Sequence, residues 1–588
     1  MRSADAQALT VLLILFSALA AFSWRKWGTP EIDAGAELTT AAQAAHGHLP
    51  YADVRYFYGP LGIYALAAAM KLFGATLTVA FAMGLAISLA IAVAFYALAR
   101  QLLSPAFAAA STAVVLAIGF SGTQFNFVLP HTNSATFGLL LLLLALLAVA
   151  RQRPLLAGVA AGLCVLTRVE FAAAAGLVVA AWLVGAWRAE GRREALRLAR
   201  VLVPPAVVIP VVALGALAAS VGASRLLWEN LWPVDFLRVA GFRAYREWTP
   251  FDAASVASSL ARGAIYGALL AGFVASALRV RRLGGPPRLR GLWPLAAAVG
   301  AVGALLGAWH VVGIFPAAES AVQEETRQLL IGMSWLPMLS LVAAVAVAYR
   351  FVRRLDPVSG SWPLDLAVAA AALMLTSRAY DEFTMSSAAP YYAAPAVLIL
   401  GLLHQRLAER WPAIRLPVLG ALVAVAAGIA VYVHFGLYAD KTMVVHTAAG
   451  NYVGDDASAA TQQRMLDYLR RHTAPGDAIL ALPADGGTDF LAARSPALYE
   501  VMFLPGLLDS RVDERQAIAR LQRENVRYAV VSNRDTSAFD VGAFGIGYNR
   551  LLGDYLRSGR LVATFGDLAA KPGGGSPSRG YRVYALPA

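Results

Sequence analysis

Cysteine is nearly absent from this chain of 588 residues, since Cys164 is its only one. A single cysteine excludes a disulfide within the chain and a metal site built from thiolates, and Cys164 is predicted to be a small buried hydrophobe. Charge is also sparse: Asp, Glu, Lys and Arg make up 14% of the residues, against about 25% in ordinary soluble domains. The sequence has no repeat of fixed period and no Gly-rich phosphate loop; the nearest candidate, Ala484–Thr488 (ADGGT), is predicted to be a turn.

Hydrophobic residues, by contrast, make up 59% of the chain. Between Leu9 and Leu437 they form apolar runs, most of them long enough to cross roughly 30 Å of hydrocarbon as a helix. The sequence therefore predicts a polytopic α-helical membrane protein with about thirteen crossings. The predicted spans are 8–24, 76–99, 106–122, 131–150, 155–167, 170–187, 199–219, 251–279, 291–314, 329–350, 362–377, 388–405 and 414–436.

The net charge of +13 follows the pattern of a membrane protein with a basic inner side, and it does not indicate a nucleic-acid-binding surface. With a cytoplasmic N-terminus, the loops on the predicted inner side carry 20 basic and 6 acidic residues, whereas the outer loops carry 12 basic and 14 acidic ones. Because inner loops of membrane proteins are enriched in Lys and Arg, this places the C-terminus outside. No nucleic-acid partner is expected.

Two stretches outside the predicted spans are long enough to form structure of their own. The first outer loop, 25–75, is predicted to contain a surface helix, Ala34–His46, and an apolar interfacial helix, Leu61–Phe73. From 437 to 588 helical and strand-like segments alternate, which predicts a small extracytoplasmic α/β domain after a membrane domain over 1–436. Its predicted elements are the amphipathic helix Met465–His472, the strand Ala478–Leu482, the helix Gln516–Glu524 and the strands Tyr528–Val531 and Tyr581–Leu586.

Acidic and basic side chains cluster in the first outer loop, where ionisable groups near a membrane indicate function. Glu31 and Glu37 are interpreted as solvated loop residues. Asp33 and Asp53 are candidates for a general base that accepts a proton from a hydroxyl or amine. Arg55 and Tyr58 lie beside them and are candidate substrate-binding residues.

The same loop resembles the opening of GT-C membrane glycosyltransferases. The resemblance is narrower to a bacterial branch akin to the protein mannosyltransferases and lipopolysaccharide-core glycosyltransferases that use lipid-phosphate sugars. It rests on Ile32-Asp33-Ala34-Gly35, Gly47-His48-Leu49-Pro50-Tyr51-Ala52-Asp53, Tyr58-Gly59-Pro60-Leu61 and Lys71-Leu72-Phe73-Gly74. In that family the acidic residue early in the loop is the catalytic base, which implies Asp33. The family often has Asp-Glu where this chain has Asp33-Ala34. This difference leaves open whether Asp33 acts alone as the base or shares that role with Asp53.

Two further segments are similar to the same family. Ala161–Arg168 matches a segment whose basic residue faces the cavity, and Thr376–Asp381 matches a late outer-loop Arg-x-x-Asp pattern. The usual following His is missing there, and Glu382 stands in its neighbourhood. An Arg suits a leaving phosphate because its guanidinium offers a bidentate fork; Arg378 is the first candidate and Arg168 the second.

The remaining candidates have plainer interpretations beside the functional ones. His131, Glu170, Asp381 and Glu382 are candidate substrate-binding residues. Arg168 also suits a local pair with Glu170, Arg378 a pair with Asp381 or Glu382, and His131 a helix cap. The acidic outer loop with Glu319, Glu324 and Glu325 suits solvation, although carboxylates also suit Mg²⁺ or Mn²⁺.

The resemblance implies an inverting hexosyl- or pentosyltransferase in the bacterial cytoplasmic membrane. It would move sugar from a polyprenyl-phosphate donor to a lipid, glycan or protein acceptor at the outer face, with Asp33 as general base. The site includes no metal and the sequence requires no cofactor, with a divalent cation open. The alternatives are a lipid-linked saccharide transporter or flippase and a non-catalytic envelope-polymer assembly protein.

Overall fold

The computed structural model describes residues 3–121, 125–232, 253–282, 333–353, 362–378, 389–508, 510–536, 542–572 and 577–587. Helices dominate up to residue 437, because a helix satisfies its own backbone hydrogen bonds within an apolar segment. They are α1 Ser3–Phe22, α2 Asp33–Ala45, α3 Pro60–Phe73, α4 Leu77–Ala99, α5 Pro105–Gly119, α6 Asn133–Ala150, α7 Pro154–Val165, α8 Val169–Glu190, α9 Arg192–Val221, α10 Ala253–Arg282, α11 Leu336–Arg353, α12 Trp362–Arg378, α13 Ala394–Arg410 and α14 Arg415–Tyr432. Two π-helical turns, Arg225–Leu231 and Val433–Leu437, extend this set.

Within these described ranges, eight helices are long and apolar enough to cross a membrane. They are α1, α4, α6, α8, α9, α10, α11 and the stretch Pro412–Leu437 that contains α14. A helix lies at each predicted span except 291–314, which falls outside the described residues. The chain is therefore a multi-pass helical membrane protein, while the number of thirteen crossings and their direction stay predictions.

The two short helices predicted in the first loop are confirmed as α2 and α3. Pro60 begins α3, where its missing N–H costs nothing because the first helical N–H groups have no partner within the helix. Most residues of α2 are small, so other segments can pack closely around the helix. Its residues Ala34, Leu38 and Ala41 are almost completely buried. Contrary to the sequence-based expectation, α2 is an internal helix and not a surface one.

The C-terminal region is α/β, as predicted. It contains β1 Lys441–Thr447, β2 Gly450–Asp455, α15 Asp456–His472, β3 Ala478–Leu482, α16 Thr488–Ala492, β4 Ser495–Pro496, α17 Arg511–Arg523, β5 Tyr528–Ser532, α18 Arg550–Ser558, β6 Arg560–Gly566 and β7 Gly580–Ala585. The strands β1 and β2 form an antiparallel hairpin, and the others form one sheet in the order β4-β3-β5-β7-β6. In that sheet β3 pairs with β4 and β5 in parallel, and β7 pairs with β5 and β6 antiparallel.

The two faces of this sheet belong to different hydrophobic clusters, as the two-residue period of a strand requires. Ile479 and Val530 join the cluster that also contains the helix bundle, whereas Leu480 and Ala529 join a second cluster. The second cluster is completed by Leu521 of α17 and other apolar residues of the C-terminal region. One core thus continues from the bundle into the C-terminal region, and the division at 436/437 into two domains stays a prediction.

Backbone hydrogen bonds fasten the C-terminal region to the first loop. The N–H groups of Val453 and Leu77 bond to the carbonyls of Arg25 and Ala449, each over 2.8 Å, and the N–H of Arg55 donates to the carbonyl of Tyr499 over 2.8 Å. The C-terminal region therefore covers the segment that holds the sequence-predicted catalytic residues.

Candidate active site

Asp33 stands in the first turn of α2, where a carboxylate interacts favourably with the positive end of the helix dipole. Its Oδ2 lies 3.5 Å from Nδ1 of His131, a residue that immediately precedes Thr132, the N-cap of α6. The two side chains are 17% and 18% exposed, so the pair is shielded without being sealed off. Asp33 and His131, which are ninety-eight positions apart in the sequence, are thus in contact in the fold.

The surroundings of Asp33 favour its ionised form. Burial acts to raise its pKa, but the charge of His131, the contact with that ring and the charge of Arg534 in the C-terminal region together lower it. The net effect is a pKa below the ordinary value of about 3.9 for Asp. Asp33 is therefore a carboxylate throughout the neutral pH range, ready to accept a proton.

The second nitrogen of the His131 ring contacts Tyr58: Nε2 lies 2.7 Å from the Tyr58 Oη. Burial raises the pKa of Tyr58 well above its usual value, so its hydroxyl keeps the proton. The Asp33 carboxylate and the Tyr58 hydroxyl thus contact the two nitrogens of the same imidazole ring. The backbone N–H of His131 also donates to the Tyr391 hydroxyl over 3.0 Å, and this fixes the position of the residue.

Arg168 extends the arrangement from Tyr58. It is the N-cap residue of α8, and its guanidinium carbon lies 4.9 Å from the centroid of the Tyr58 ring, a cation–π distance. Its Nε lies 2.7 Å from Oε1 of Glu170, which also accepts a hydrogen bond of 2.5 Å from the Tyr392 hydroxyl. The local pair between Arg168 and Glu170, one of the two interpretations from the sequence, is thus confirmed. The Asp33 carboxylate and the Arg168 guanidinium are thus connected by contacts through His131 and Tyr58.

Glu31 and Glu37 are not solvated, and the prediction that they are was wrong. They are only 3% and 4% exposed, because α2 is internal and the C-terminal region covers the loop. Burial raises the pKa of both carboxyls. Glu37 accepts hydrogen bonds from Asn133 and Tyr56, while Lys441 and Arg534 partly offset the burial of Glu31 by their charges.

Asp53 and Arg55 occupy different surroundings from Asp33. The Asp53 carboxylate is exposed and accepts a hydrogen bond of 2.7 Å from the backbone N–H of Leu49, which closes its own turn. Arg55 lies 3.9 Å from Glu500, and its guanidinium carbon is 5.2 Å from the centroid of the Tyr499 ring. The structure thus brings Asp33, Tyr58, His131, Arg168 and Glu170 together, gives Asp53 a local contact and joins Arg55 to the C-terminal region.

The second group of sequence candidates cannot be placed beside these. Arg378 is the last residue of α12, and its side chain lies outside the described part of the chain. Asp381, Glu382 and the acidic loop with Glu319, Glu324 and Glu325 also lie outside it. Among the residues that the structure does describe, no group of three or more His, Cys, Asp and Glu side chains is suited to hold a metal ion.

A turn of the C-terminal region packs on the start of α2. It comprises Gly486 and Gly487, within the segment interpreted as a turn from the sequence, and this prediction is confirmed. The N–H of Gly487 donates to the carbonyl of Glu31 over 3.0 Å, and the Thr39 hydroxyl donates to the carbonyl of Gly486 over 2.6 Å. A Cβ on Gly487 would lie 1.9 Å from the carbonyl oxygen of Pro30, so only glycine permits this approach. The only sequence signal for the contact is the Gly-Gly pair.

The chain is similar to several solved structures at low sequence identity. No family model and no curated protein matches the chain. Among solved structures, it is similar to the oligosaccharyltransferase AglB from Archaeoglobus fulgidus in complex with an inhibitory peptide and a dolichol-phosphate (14% identity, 94% of this chain and 72% of that one, TM-score 0.48). It is also similar to ArnT from Cupriavidus metallidurans bound to undecaprenyl phosphate (16% identity, 99% and 98%, TM-score 0.44).

Both of these proteins are GT-C membrane glycosyltransferases, the class that the sequence resemblance named. The archaeal enzyme has also been solved in complex with Zn and sulfate (14% identity, 93% of this chain and 71% of that one, TM-score 0.48). At such identities and at TM-scores below 0.5, these similarities assign neither a ligand nor an activity to this chain.

Proposed function

We propose that this protein is a membrane glycosyltransferase that moves a sugar from a polyprenyl-phosphate donor to a hydroxyl or amine acceptor. The observation that carries the proposal is the line of contacts Asp33–His131–Tyr58–Arg168 at one end of an apolar helix bundle. It joins an ionised carboxylate, suited to take a proton, to a guanidinium, suited to hold a phosphate. The motif resemblance of the first loop points the same way.

In the proposed reaction the acceptor oxygen or nitrogen attacks the anomeric carbon while the bond from that carbon to the phosphate oxygen breaks. The acceptor proton passes to Asp33, and the bonding electrons leave with the polyprenyl phosphate. Arg168 stabilises the negative charge of the leaving phosphate; its contact with Glu170 engages Nε, and the guanidinium carries four further N–H donors. A single displacement inverts the configuration at the anomeric carbon. Arg378 stays a second candidate for the phosphate.

We further propose that the reaction takes place at the extracytoplasmic face of a bacterial cytoplasmic membrane. The C-terminal region then lies above the site, and the donor tail lies among the helices. A lipid-phosphate donor suits a site of this kind, because the phosphate stays at the interface while the polyprenyl chain enters the hydrocarbon. Arg55, Tyr58 and Glu170 are proposed as the residues that surround the sugar or the acceptor.

The test is sugar transfer by the purified full-length protein in liposomes. The donors are undecaprenyl-phosphate esters of radiolabelled hexoses and pentoses, the acceptor is a bacterial envelope extract, and release of undecaprenyl phosphate is measured. Asp33→Asn and Asp33→Ala are expected to lower kcat by about 10²–10⁴-fold, the usual contribution of a general base. Asp440→Asn is the matched control, because Asp440 is exposed at the junction with the C-terminal region. Asp53→Asn decides whether Asp53 shares the role.

The alternatives give different results in the same liposomes. Full activity of both Asp33 variants would overturn the role of Asp33. Movement of the labelled lipid across the bilayer without cleavage of the sugar–phosphate bond would identify a flippase instead. Binding of envelope glycan with no turnover of any donor would favour an assembly protein.

A further inference from the structure

Two parallel contacts join α2 to the start of α6. Asp33 and Glu37 are four positions apart on α2 and therefore lie on the same face of the helix. Asp33 faces His131 over 3.5 Å, and Glu37 accepts a hydrogen bond of 2.9 Å from the backbone N–H of Asn133, two residues further along. The two contacts hold the same pair of segments at neighbouring positions.

The Glu37 contact satisfies the start of α6. Asn133 is the first residue of that helix, and the first N–H groups of a helix have no partner within it. The same oxygen, Oε1, also lies 3.3 Å from the side-chain nitrogen of Asn133. A carboxyl group at a helix N-terminus is further favoured by the helix dipole. Glu37 therefore fixes where α6 begins, two residues after His131.

Glu37 also holds the loop that carries Tyr58. The Tyr56 hydroxyl donates to Oε1 of Glu37 over 3.1 Å and lies 3.3 Å from the hydroxyls of Thr132 and Ser134. The Ser134 hydroxyl in turn donates to the carbonyl of Gly59 over 3.0 Å. The three segments that present Asp33, His131 and Tyr58 thus meet at one buried carboxyl group.

We propose that Glu37 is a positioning residue that sets the separation between Asp33 and His131. It does so by fastening α2, the start of α6 and the Tyr56–Gly59 loop to each other. This inference deepens the proposed function and rests on it. Glu37 has no step in the sugar transfer itself, so its effect is exerted through Asp33.

Two substitutions of Glu37 separate the effect of its hydrogen bonds from the effect of its charge. Glu37→Gln keeps a carbonyl oxygen that accepts from Asn133 and Tyr56, and it is expected to keep kcat within about 3-fold of the wild type. Glu37→Ala leaves those donors unpaired; a lost hydrogen bond to a charged group is worth about 10–100-fold. We expect that loss in kcat, with the KM for the undecaprenyl-phosphate donor within 2-fold. Glu190→Gln and Glu190→Ala, at the exposed end of α8, are the matched controls.

The pH profile distinguishes positioning from loss of stability. The charged and titratable groups that face Asp33 are His131 and Arg534, with Tyr58 and Glu37 nearby. In Glu37→Ala the Asp33 carboxylate loses its contact with His131 while it remains buried, so the acid limb of kcat/KM moves to higher pH. A lower Tm with an unchanged acid limb would overturn the proposal, since that is the result of a purely structural role. Unchanged kcat in Glu37→Ala would overturn it as well.

A double-mutant cycle with Asp33→Asn separates this proposal from the proposed function. If Glu37 acts through Asp33, Glu37→Ala has little further effect on kcat in the Asp33→Asn background. Multiplicative losses in the double variant would overturn positioning and leave Asp33 as the base. A fully active Asp33→Asn single variant would overturn the role of Asp33 as the base, whatever the effect of Glu37→Ala.

Discussion

Nδ1 of His131 lies 3.5 Å from Oδ2 of Asp33, while Nε2 of the same ring lies 2.7 Å from the Tyr58 hydroxyl. A histidine that contacts a carboxylate with one ring nitrogen and a phenol with the other has the plane of its ring fixed. The carboxylate is the member of this group with a lowered pKa, and it lies in the first turn of a short helix. The contact therefore keeps Asp33 ionised and restricts its position, as its proposed role of general base requires.

Replacement of His131 by Asn is expected to raise the pKa of Asp33. Burial, which acts to raise that pKa, is then opposed only by the charge of Arg534, so the acid limb of kcat/KM shifts to higher pH. We expect kcat at pH 7 to fall by about 10-fold, because Asp33 loses an ordering contact of about 1–1.5 kcal/mol. The measurement is undecaprenyl-phosphate release between pH 3.5 and 8, with His446→Asn in β1 as control. Loss of all activity at every pH would instead make His131 the base.

Replacement of Arg168 is expected to act on the donor. In Arg168→Gln the leaving phosphate loses a charge-assisted interaction, which is worth about 10–100-fold in kcat/KM for the undecaprenyl-phosphate donor. Arg168→Lys keeps the charge but not the planar fork over Tyr58, so an intermediate value is expected. Steady-state kinetics with varied donor concentration give the values, and Arg151→Gln, at an exposed helix end, is the control. If Arg168→Gln lowers kcat by the whole of this factor and leaves the KM for the donor unchanged, Arg168 does not bind the phosphate in the ground state.

Replacement of Gly487 by Ala is expected to separate the C-terminal region from α2. The backbone at Gly487 has φ −88°, which alanine adopts without strain, so the effect comes from the new Cβ against the Pro30 carbonyl. Overpacking of this kind costs about 1–3 kcal/mol, and a lower Tm is expected together with a drop in kcat of about 10-fold. Gly267→Ala is the control, because a Cβ there meets nothing within 4 Å. A normal kcat with a lowered Tm would show that this turn stabilises the protein without ordering the site.

The helices before residue 437 and three of the seven C-terminal strands, β3, β5 and β7, follow from the sequence because each depends on a local pattern. A run such as Leu77–Ala99 is apolar along its whole length, and the amphipathic spacing after Met465 is visible within one helix. The strands β1, β2, β4 and β6 and the helices α16 and α18 were not predicted. The burial along β1 and β6 is largely intermediate or exposed, so these strands lack the apolar alternation that marks a strand with one buried face.

The candidate site was predicted only as a set of residue types. Asp33, Tyr58, His131, Arg168 and Glu170 were all candidates, but nothing local in the sequence states that His131 contacts Asp33. The error for Glu31 and Glu37 has the same origin, because residues distant in the sequence bury them. The N–H of Gly487 donates to the carbonyl of Glu31, and the N–H of Asn133 donates to the carboxyl of Glu37. The residues next to a carboxylate in the sequence predict whether it is solvated only when no distant segment of the chain packs against it.

The burial of Glu31 makes a prediction about stability. Its pKa is raised, chiefly by burial and also by the charge of Asp485, against the opposing charges of Lys441 and Arg534. Because the folded-state pKa exceeds the unfolded value of about 4.3, the folded protein binds this proton more tightly. The resulting stabilisation is complete below about pH 4.3 and is lost as the pH rises to the folded-state pKa.

Glu31→Gln imitates the neutral carboxyl group at every pH. Its Tm is therefore expected to equal that of the wild type at pH 4.5 and to exceed it at pH 8 by about 1–3 °C. Glu190→Gln, at an exposed position, should show the same small difference from the wild type at both pH values. Lys441 keeps its hydrogen bonds of 2.8 and 2.7 Å to the carbonyls of Lys26 and Gly28 in the variant, so it is not left unpaired. A lower Tm for Glu31→Gln at pH 8 would mean that the attraction between Glu31 and Lys441 outweighs the cost of burying both charges.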